Sequence, residues 1–294
     1  MQTTIQDWLN WLSTSTSPRT LQTYGWELRR FAAAHPALQP AHVKETHLNA
    51  YLASLRLLDG VGDAAIKSAV AAFKSFFGWC RRRSPADGLN YPTVHKKLQR
   101  TLTYDQFSRV AAACDTTADK GKRDLAIICL LADSGLRVSE LCRLALERVN
   151  LDEFYLIVQI KGGDEGYGFF TEYTAAQIAA WLPVRAAYAA PGVETLFVSL
   201  MARRDKRGQP LTREGVKCEL RKIGERAGVA GLSPHVFRRS GATIATDNGA
   251  PSRLVQHAFR WSDYSTFMQY TRAANGARIR PYLPTARLMA ESHP

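Results

Sequence analysis

The sequence predicts a mainly α-helical protein of two domains with one small β-hairpin. Apolar residues recur at helical spacing through most of the 294 residues, and a run of β-branched and aromatic residues, "FYLIVQI", predicts a strand. Residues 84–102 contain two prolines and little periodicity, which is typical of a linker. We therefore expect an N-terminal domain over 1–83 and a second domain over 103–294.

Four apolar stripes predict four helices in the N-terminal domain. The first has the spacing i, i+3, i+4, i+7 from Ile5, which is one face of a helix. The second follows Ser17, an N-cap, and Pro18 at the first helical position. The fourth ends in "RRR" at 81–83, where the charges would either complement the helix dipole in water or contact phosphate.

Capping residues mark the helix starts of the second domain. Thr103 opens a capping box in "TYDQ", and Thr174 with Gln177 predicts another. Ser233 precedes a proline, which predicts the start of the helix that carries "HVFRR". A buried helix over 123–135 ends in a glycine, a common helix stop.

The β-hairpin is predicted in the middle of the second domain. The strand over 154–160 is followed by "KGGDEGYG", which predicts a glycine-rich turn, and then by "FFTEY" as the second strand. Lys161 would lie at the tip of this hairpin.

The charge balance indicates a polyanionic partner. The chain has 39 Lys and Arg residues against 26 Asp and Glu, a net charge of +13. Both the first hundred residues and the remainder contribute to the excess, so both domains could face one polyanion. This pattern favours nucleic acid over a membrane surface.

The five cysteines indicate a reducing compartment. They form no CxxC pair and have no histidine at zinc-like spacing, so buried free thiols in a cytoplasmic, nucleoid-associated protein are expected. The N-terminus lacks the basic start of a signal peptide, and the longest apolar run is far too short to span a bilayer.

The sequence shows no Walker motif, no HExxH and no close set of acidic residues, so we expect neither a metal nor another cofactor. Cations instead recur where elements begin or turn: Arg137 after Gly135, Lys161, and His235 with Arg238 at i and i+3. At that spacing two helical side chains can converge on one group. Each of these residues taken alone would fit an ordinary surface position.

Their order resembles the tyrosine recombinases, the phage-integrase and Xer-type enzymes. "RDLAIICLLADSGLRVSELCRL" is similar to the first arginine box, "SPHVFRRSGAT" to the HxxR box, and "LVQHAFRWSDYSTFMQYTR" to the segment that ends in the nucleophilic tyrosine. The resemblance is strong over 101–275 and weaker over the N-terminal helices. It implies a two-domain DNA clamp, with a four-helix, SAM-like core-binding domain and an α+β catalytic domain.

The resemblance also implies how the scissile phosphate is held. Arg137 and Arg238 become the arginine pair on that phosphate, and Glu140, one helical turn from Arg137, would orient the site. Trp261 occupies the second His/Trp position of the family, where its indole N–H can donate a hydrogen bond but cannot titrate.

The remaining roles concern protons and the covalent bond. By the same resemblance, Tyr270 attacks phosphorus, Lys161 is the general acid for the departing 5′-hydroxyl, and His235 is a general acid or base that also contacts the phosphate.

Other basic residues are predicted to bind DNA outside the catalytic set. Arg260 stands where the family usually has glycine; it would alter the turn that presents Trp261 or contact a phosphate. Arg239 would contact a flanking phosphate or pair with an acid. The predicted DNA-binding residues are Arg81, Arg82, Arg83, Lys96, Lys97, Arg239 and Arg260.

These features together predict a site-specific DNA recombinase or integrase that works through a 3′-phosphotyrosyl intermediate. We expect a homotetramer that exchanges strands of double-stranded DNA through a Holliday junction at an inverted-repeat core site, with an accessory protein or a partner recombinase left open. The alternatives are a type IB topoisomerase-like nicking and closing enzyme and a non-catalytic DNA-binding protein of the same fold.

Overall fold

The chain divides into two compact units, Met1–Lys97 and Leu98–Pro294. The structure, a computed structural model, describes residues 1–81, 83–94, 99–160, 163–203 and 205–261. Within these residues the protein is mainly helical with one three-stranded sheet, which confirms the predicted fold class. No helix in this part of the chain is both long and apolar enough to cross a membrane.

All secondary-structure elements in the described ranges of the first unit are helices, as the apolar stripes predict. Its α-helices are α1 (Gln2–Leu12), α2 (Pro18–Ala34), α3 (Glu45–Leu57) and α4 (Asp63–Cys80). Ser17 caps α2 by accepting a hydrogen bond from the Thr20 amide. Aromatic residues fill the core, where Phe31 packs edge-on against Phe73.

The predicted domain boundaries at 83 and 103 stay predictions, and the start of the predicted linker packs on the first unit. Ala86 is fully buried and Leu89 is 3% exposed, and both belong to the hydrophobic core of this unit.

The second unit surrounds one buried helix with other helices and places the small sheet beside it. Its elements are α5 (Tyr104–Ala112), α6 (Asp119–Ser134), α7 (Val138–Arg143), β1 (Val149–Asn150), β2 (Tyr155–Gln159), β3 (Glu165–Phe169), α8 (Glu172–Tyr188), α9 (Arg213–Ala227), α10 (Pro234–Asp247) and α11 (Ser252–Ala258). Helix α6 is apolar on most faces and packs against α8 and α10, so it is the centre of this core. The capping box at Thr103 is present, with both hydrogen bonds to Gln106 at 3.2 Å.

The prediction for the hairpin was wrong in its second strand. β3 is formed by "EGYGF", of which the sequence pattern assigned all but Phe169 to the turn, and it pairs antiparallel with β2 from Tyr155↔Phe169 to Gln159↔Glu165. β1, which pairs with the other edge of β2, was not predicted. Two glycines made the strand resemble a turn, and their structural reason is the side chain of Arg260, described below.

The predicted capping box at Thr174 was also wrong. Helix α8 begins three residues earlier, at Glu172, and its N-cap is Thr171, whose hydroxyl accepts from the Thr174 amide. Asp133 fixes this cap by accepting hydrogen bonds from the Thr171 amide and from the hydroxyls of Thr171 and Thr174. The cap therefore depends on a carboxylate distant in sequence, which a local pattern cannot reveal.

Candidate active site

The corner between α6 and α7 presents Arg137. Gly135 ends α6 in the left-handed conformation, with φ of +59°, and Arg137 is the N-cap of α7. The Glu140 carboxylate accepts from the Arg137 backbone amide at 2.8 Å and from its guanidinium Nη1 at 2.6 Å. The Glu140 side chain is buried, whereas the Arg137 side chain is 42% exposed. Glu140 therefore orients Arg137 and leaves part of the guanidinium open to a ligand.

Helix α10 presents Arg238 toward the same corner. Ser233 caps this helix by accepting from the Val236 amide, and Pro234 occupies its first turn. Arg238 is 4% exposed, and its guanidinium donates to the backbone carbonyls of Gly135 and Phe259. Arg238 thus joins the corner that carries Arg137 to the end of α11.

Trp261 stacks on this arrangement from the end of α11. The guanidinium carbon of Arg238 lies 4.9 Å from the centroid of the Trp261 ring. Trp261 also stacks on Phe259, whose ring is nearly parallel to that of Trp261, with centroids 5.5 Å apart. The indole therefore covers the guanidinium of Arg238 and limits its movement.

His235 lies exposed at the start of α10, one turn before Arg238. Loss of hydration beside the protein lowers the pKa of its imidazole below the ordinary 6.5, and the positive charges of Arg239, Arg238, Arg137 and Lys217 lower it further. The imidazole is therefore neutral at neutral pH, and one of its ring nitrogens can accept a proton.

Arg260 lies two residues after the end of α11 and is held inward. Its backbone is left-handed, with φ of +53°, and its side chain is 8% exposed. Loss of hydration lowers the pKa of its guanidinium, and the Glu140 carboxylate, 3.6 Å away, opposes that shift. Its burial together with the Glu140 carboxylate that it already faces argues against the predicted phosphate contact.

Positive charge exceeds negative charge at this place. Among the residues described, Arg137 and Arg260 share the buried carboxylate of Glu140. Guanidinium groups stay protonated under all physiological conditions, so the excess is permanent. An anionic ligand would compensate it.

A cleft of about 520 Å³ continues from Arg137 between α7 and β2. Arg143, Arg148 and Gln159 contribute to its lining. Arg143 and Arg148 were not predicted, because the cleft is formed by α7 and β2, and no local motif marks the residues that line it. Arg148 is paired with Glu165 at 2.6 Å, whereas Arg143 is exposed and has no carboxylate partner in the described part of the chain.

The other predicted DNA-binding residues have varied positions. Arg81 donates to the Val43 carbonyl at 2.8 Å, and Arg83 is exposed. Arg239 donates to the Arg100 carbonyl and to the side-chain oxygen of Gln99, so it holds the beginning of the second unit. The predicted residues that lie outside the described ranges are Arg82, Lys96, Lys97, Lys161 and Tyr270.

The described residues include no group of three or more His, Cys, Asp or Glu side chains that could hold a metal ion. The site is instead built from guanidinium groups, an imidazole and an indole. The chemistry that it can perform from its own side chains is charge stabilisation of an anion and transfer of a proton.

Two protein-family models match the chain. The phage integrase family matches residues 100–276, and the N-terminal SAM-like domain of phage integrases matches residues 5–84. The chain belongs to the phage integrase family. The catalytic-domain match contains the described cluster of Arg137, His235, Arg238 and Trp261.

Relatives and solved structures of this phage integrase agree with that assignment. The tyrosine recombinase XerA of Thermococcus kodakarensis is 30% identical over 263 residues, which cover 87% of this chain and 85% of that enzyme. A crystal structure of XerH site-specific recombinase bound to a difH substrate, a pre-cleavage complex, has a TM-score of 0.72 at 17% identity and covers 99% of this chain and 94% of that one. A lambda integrase tetramer bound to a Holliday junction has a TM-score of 0.69 at 17% identity, with coverages of 90% and 76%.

Proposed function

We propose that this phage integrase is a site-specific DNA recombinase that cleaves and rejoins strands through a 3′-phosphotyrosyl intermediate. The observation that carries the proposal is the joint placement of Arg137 and Arg238. Arg238 donates to the Gly135 carbonyl at the corner that presents Arg137, so both guanidinium groups are held at one corner of the fold, where Glu140 orients Arg137. A DNA phosphate is the anion that compensates them.

The arginine pair stabilises the transition state. Attack at phosphorus accumulates negative charge on the two non-bridging oxygens, and preorganised guanidinium forks bind such charge without rearranging. Arg137 supplies the exposed fork and Arg238 the buried one. Glu140 keeps Arg137 in position by accepting from both its amide and its guanidinium.

Tyr270 is the proposed nucleophile, and His235 is its proton acceptor. A phenol has a pKa of about 10, so it needs a base and a positive field in order to attack. The lowered pKa of His235 keeps its imidazole neutral and able to take the phenolic proton. The tyrosine oxygen then bonds to phosphorus, and the bond to the 5′-oxygen breaks.

Lys161 is the proposed donor of a proton to the departing 5′-oxygen, and the Trp261 indole N–H is a further hydrogen-bond donor to the phosphate. The 3′-phosphotyrosyl bond conserves the energy of the broken phosphodiester. The released 5′-hydroxyl can therefore reseal the strand without ATP, and the arginines take the part that a metal ion has in other nucleases.

Both units are proposed to bind double-stranded DNA. Arg143 and Arg148, in the cleft beside Arg137, would hold a phosphate that neighbours the scissile one.

Four protomers would join two inverted-repeat sites and exchange strands through a Holliday junction. The fold similarity to a lambda integrase tetramer on a Holliday junction supports this assembly. The net charge of +13 supports the choice of nucleic acid as partner.

A two-site plasmid assay tests the function. DNA fragments from the gene's own neighbourhood are selected for binding, and two copies of a bound fragment are cloned in one supercoiled plasmid. Recombination predicts deletion or inversion of the segment between the copies, without added metal or ATP. Relaxation of supercoils without exchange would instead support a topoisomerase-like activity, and tight binding without either product would support a binding protein.

A further inference from the structure

Arg260 adopts a backbone conformation that favours glycine. Its φ is +53°, in the left-handed region, where a Cβ atom crowds the backbone. The residue lies two positions after the end of α11 and directly precedes Trp261, so the turn positions the indole over Arg238. A non-glycine residue persists in such a conformation when its surroundings compensate for the strain. The contacts of the Arg260 side chain supply that compensation.

The Arg260 guanidinium bridges strand β3 and the end of helix α6. Nη1 donates to the Tyr167 carbonyl of β3 at 2.7 Å, and Nη2 donates to the Ser134 carbonyl at the end of α6 at 3.1 Å. Nη2 also lies 3.6 Å from the carboxylate of Glu140, the residue that orients Arg137. The buried Arg260 side chain therefore contacts the hairpin and the α6–α7 corner. It also lies beside Glu140, which orients the proposed phosphate ligand Arg137.

Strand β3 is shaped to receive this side chain. Gly166 and Gly168 lie two residues apart, and alternate residues of a strand face the same side. A Cβ atom on Gly166 would lie 2.8 Å from Cδ of Arg260, and one on Gly168 would lie 3.1 Å from its Nη1. Glycine inside a strand often marks a close approach by another group, and here the group is Arg260.

We propose that Arg260 is a positioning residue that anchors strand β3, and with it the β2–β3 turn, to the α6–α7 corner of the active site. By sequence this turn contains Lys161, the proposed donor of a proton to the leaving oxygen. The inference rests on the proposed function, because it concerns a step of that reaction. It differs from the alternative in which Arg260 contacts DNA phosphate.

Burial and a carboxylate partner together separate these two roles. The Arg260 side chain is 8% exposed, and its Nη atoms face backbone carbonyls and the Glu140 carboxylate. Its Nε is buried as well. Arg137 also faces Glu140 but is 42% exposed, whereas the buried guanidinium of Arg260 is already occupied by a carboxylate and restrains the protein.

The first test compares Arg260→Gly with the wild-type protein on a nicked duplex that traps the covalent adduct. Glycine adopts a φ of +53° without strain, so the variant is expected to fold. At saturating protein, we expect the first-order rate of adduct formation to fall about tenfold or more, because small displacements of a catalytic group have effects of this size. Affinity for DNA and its salt dependence should not change.

Arg226→Ala is the matched control for the lost charge. Arg226 is exposed on α9 and donates to the Ala113 carbonyl, so its removal changes the net charge equally without touching β3. An unchanged adduct rate in Arg260→Gly would overturn the inference. A fall of about one in the slope of log affinity against log salt would also overturn it, because that is the sign of a lost phosphate contact.

A substrate with sulfur in place of the bridging 5′-oxygen tests whether Arg260 acts through the hairpin. A thiol has a pKa of about 8.5, so the sulfur can leave as a thiolate and needs no proton donor. The fall in adduct rate relative to the wild-type protein should be smaller on this substrate for both Lys161→Ala and Arg260→Gly. If Lys161→Ala recovers and Arg260→Gly does not, the inference fails while the proposed function stands. If the wild-type protein forms no adduct on either substrate, the proposed function fails.

Steric complementation gives a test that is independent of activity. In the wild-type background, Gly166→Ala places a methyl group against Arg260, and we expect a lower melting temperature. In the Arg260→Gly background the neighbour is gone, and the same change should be close to neutral. An equal loss of melting temperature in both backgrounds would contradict the packing on which the inference depends.

Discussion

Arg238 and Trp261 form a cation–π pair, with the guanidinium carbon 4.9 Å from the ring centroid, although 23 positions separate them in sequence. The pair brings helix α10 and the end of α11 together beside Arg137. This contact explains why the HxxR motif and Trp261 belong to one site, because the indole covers the Arg238 guanidinium that is proposed to hold the phosphate.

Replacement of Arg238 by lysine should abolish most cleavage while it preserves the charge. Lysine presents a point charge and cannot form the fork that joins the Gly135 and Phe259 carbonyls. Loss of one transition-state donor costs about 2.7–4 kcal/mol in other enzymes, so the adduct rate should fall about 10²–10³-fold. Single-turnover adduct formation measures this effect, and a rate within threefold of wild type would contradict the role of Arg238.

His235 should titrate below 6.5 in the free protein. Because the folded state lowers its pKa, the unfolded chain binds this proton more tightly. The contribution of the neutral His235 imidazole to the free energy of unfolding is therefore complete above pH 6.5, and it is lost as the pH falls through 6.5 toward the lowered pKa. An NMR titration of labelled histidine, with the signal assigned by its absence in His235→Gln, measures the value.

DNA should reverse that shift in the His235 pKa. A phosphate beside the imidazole offsets the positive charges of Arg137 and Arg238, so the pKa should rise when DNA binds. The same titration on a Tyr270→Phe complex tests this expectation. A pKa that does not change on binding would show that His235 does not face the phosphate.

Gly135→Ala should be more destabilising than Gly228→Ala. Both glycines have positive φ, +59° and +64°, so alanine costs about 1–2 kcal/mol at either position. A Cβ on Gly135 would also collide with the ring of Phe259, whereas a Cβ on Gly228 meets open space. We expect this overpacking to lower the free energy of unfolding of Gly135→Ala by an additional ~1–3 kcal/mol, measured by native-state hydrogen exchange in α6. Equal costs would contradict the packing of Phe259 on this corner.

Arg143→Ala should weaken DNA binding and leave catalysis intact. Arg143 is exposed in the cleft next to Arg137, where a phosphate that neighbours the scissile one would lie. Its loss should lower the slope of log affinity against log salt by about 0.9, with the adduct rate at saturation unchanged. Arg226→Ala again serves as the control, and an unchanged slope in Arg143→Ala would remove the cleft from the DNA-binding surface.

Local chemistry made much of the fold predictable. The capping box at Thr103 and the caps at Ser17 and Ser233 were read from sequence, because their hydrogen bonds join residues within one turn. The spacing of His235 and Arg238 on one helix was predictable for the same reason. The roles of these residues came from the family resemblance.

The errors lie where distant residues decide local structure. Gly166 and Gly168 suggested a turn, yet they form a strand, because their missing side chains make room for Arg260, more than 90 residues later. Asp133 likewise determines where α8 begins. Such tertiary causes leave no periodic pattern near the affected segment.

Covalent trapping tests directly whether Tyr270 is the nucleophile. The purified protein is incubated, with chelator and without magnesium, with nicked duplexes from its own genetic neighbourhood, so that the cleaved strand diffuses away. We expect a protease-sensitive adduct on a 3′-phosphate, attached to the peptide that contains Tyr270 and absent from Tyr270→Phe and Arg238→Ala. An adduct that persists in Tyr270→Phe would show that another residue attacks phosphorus.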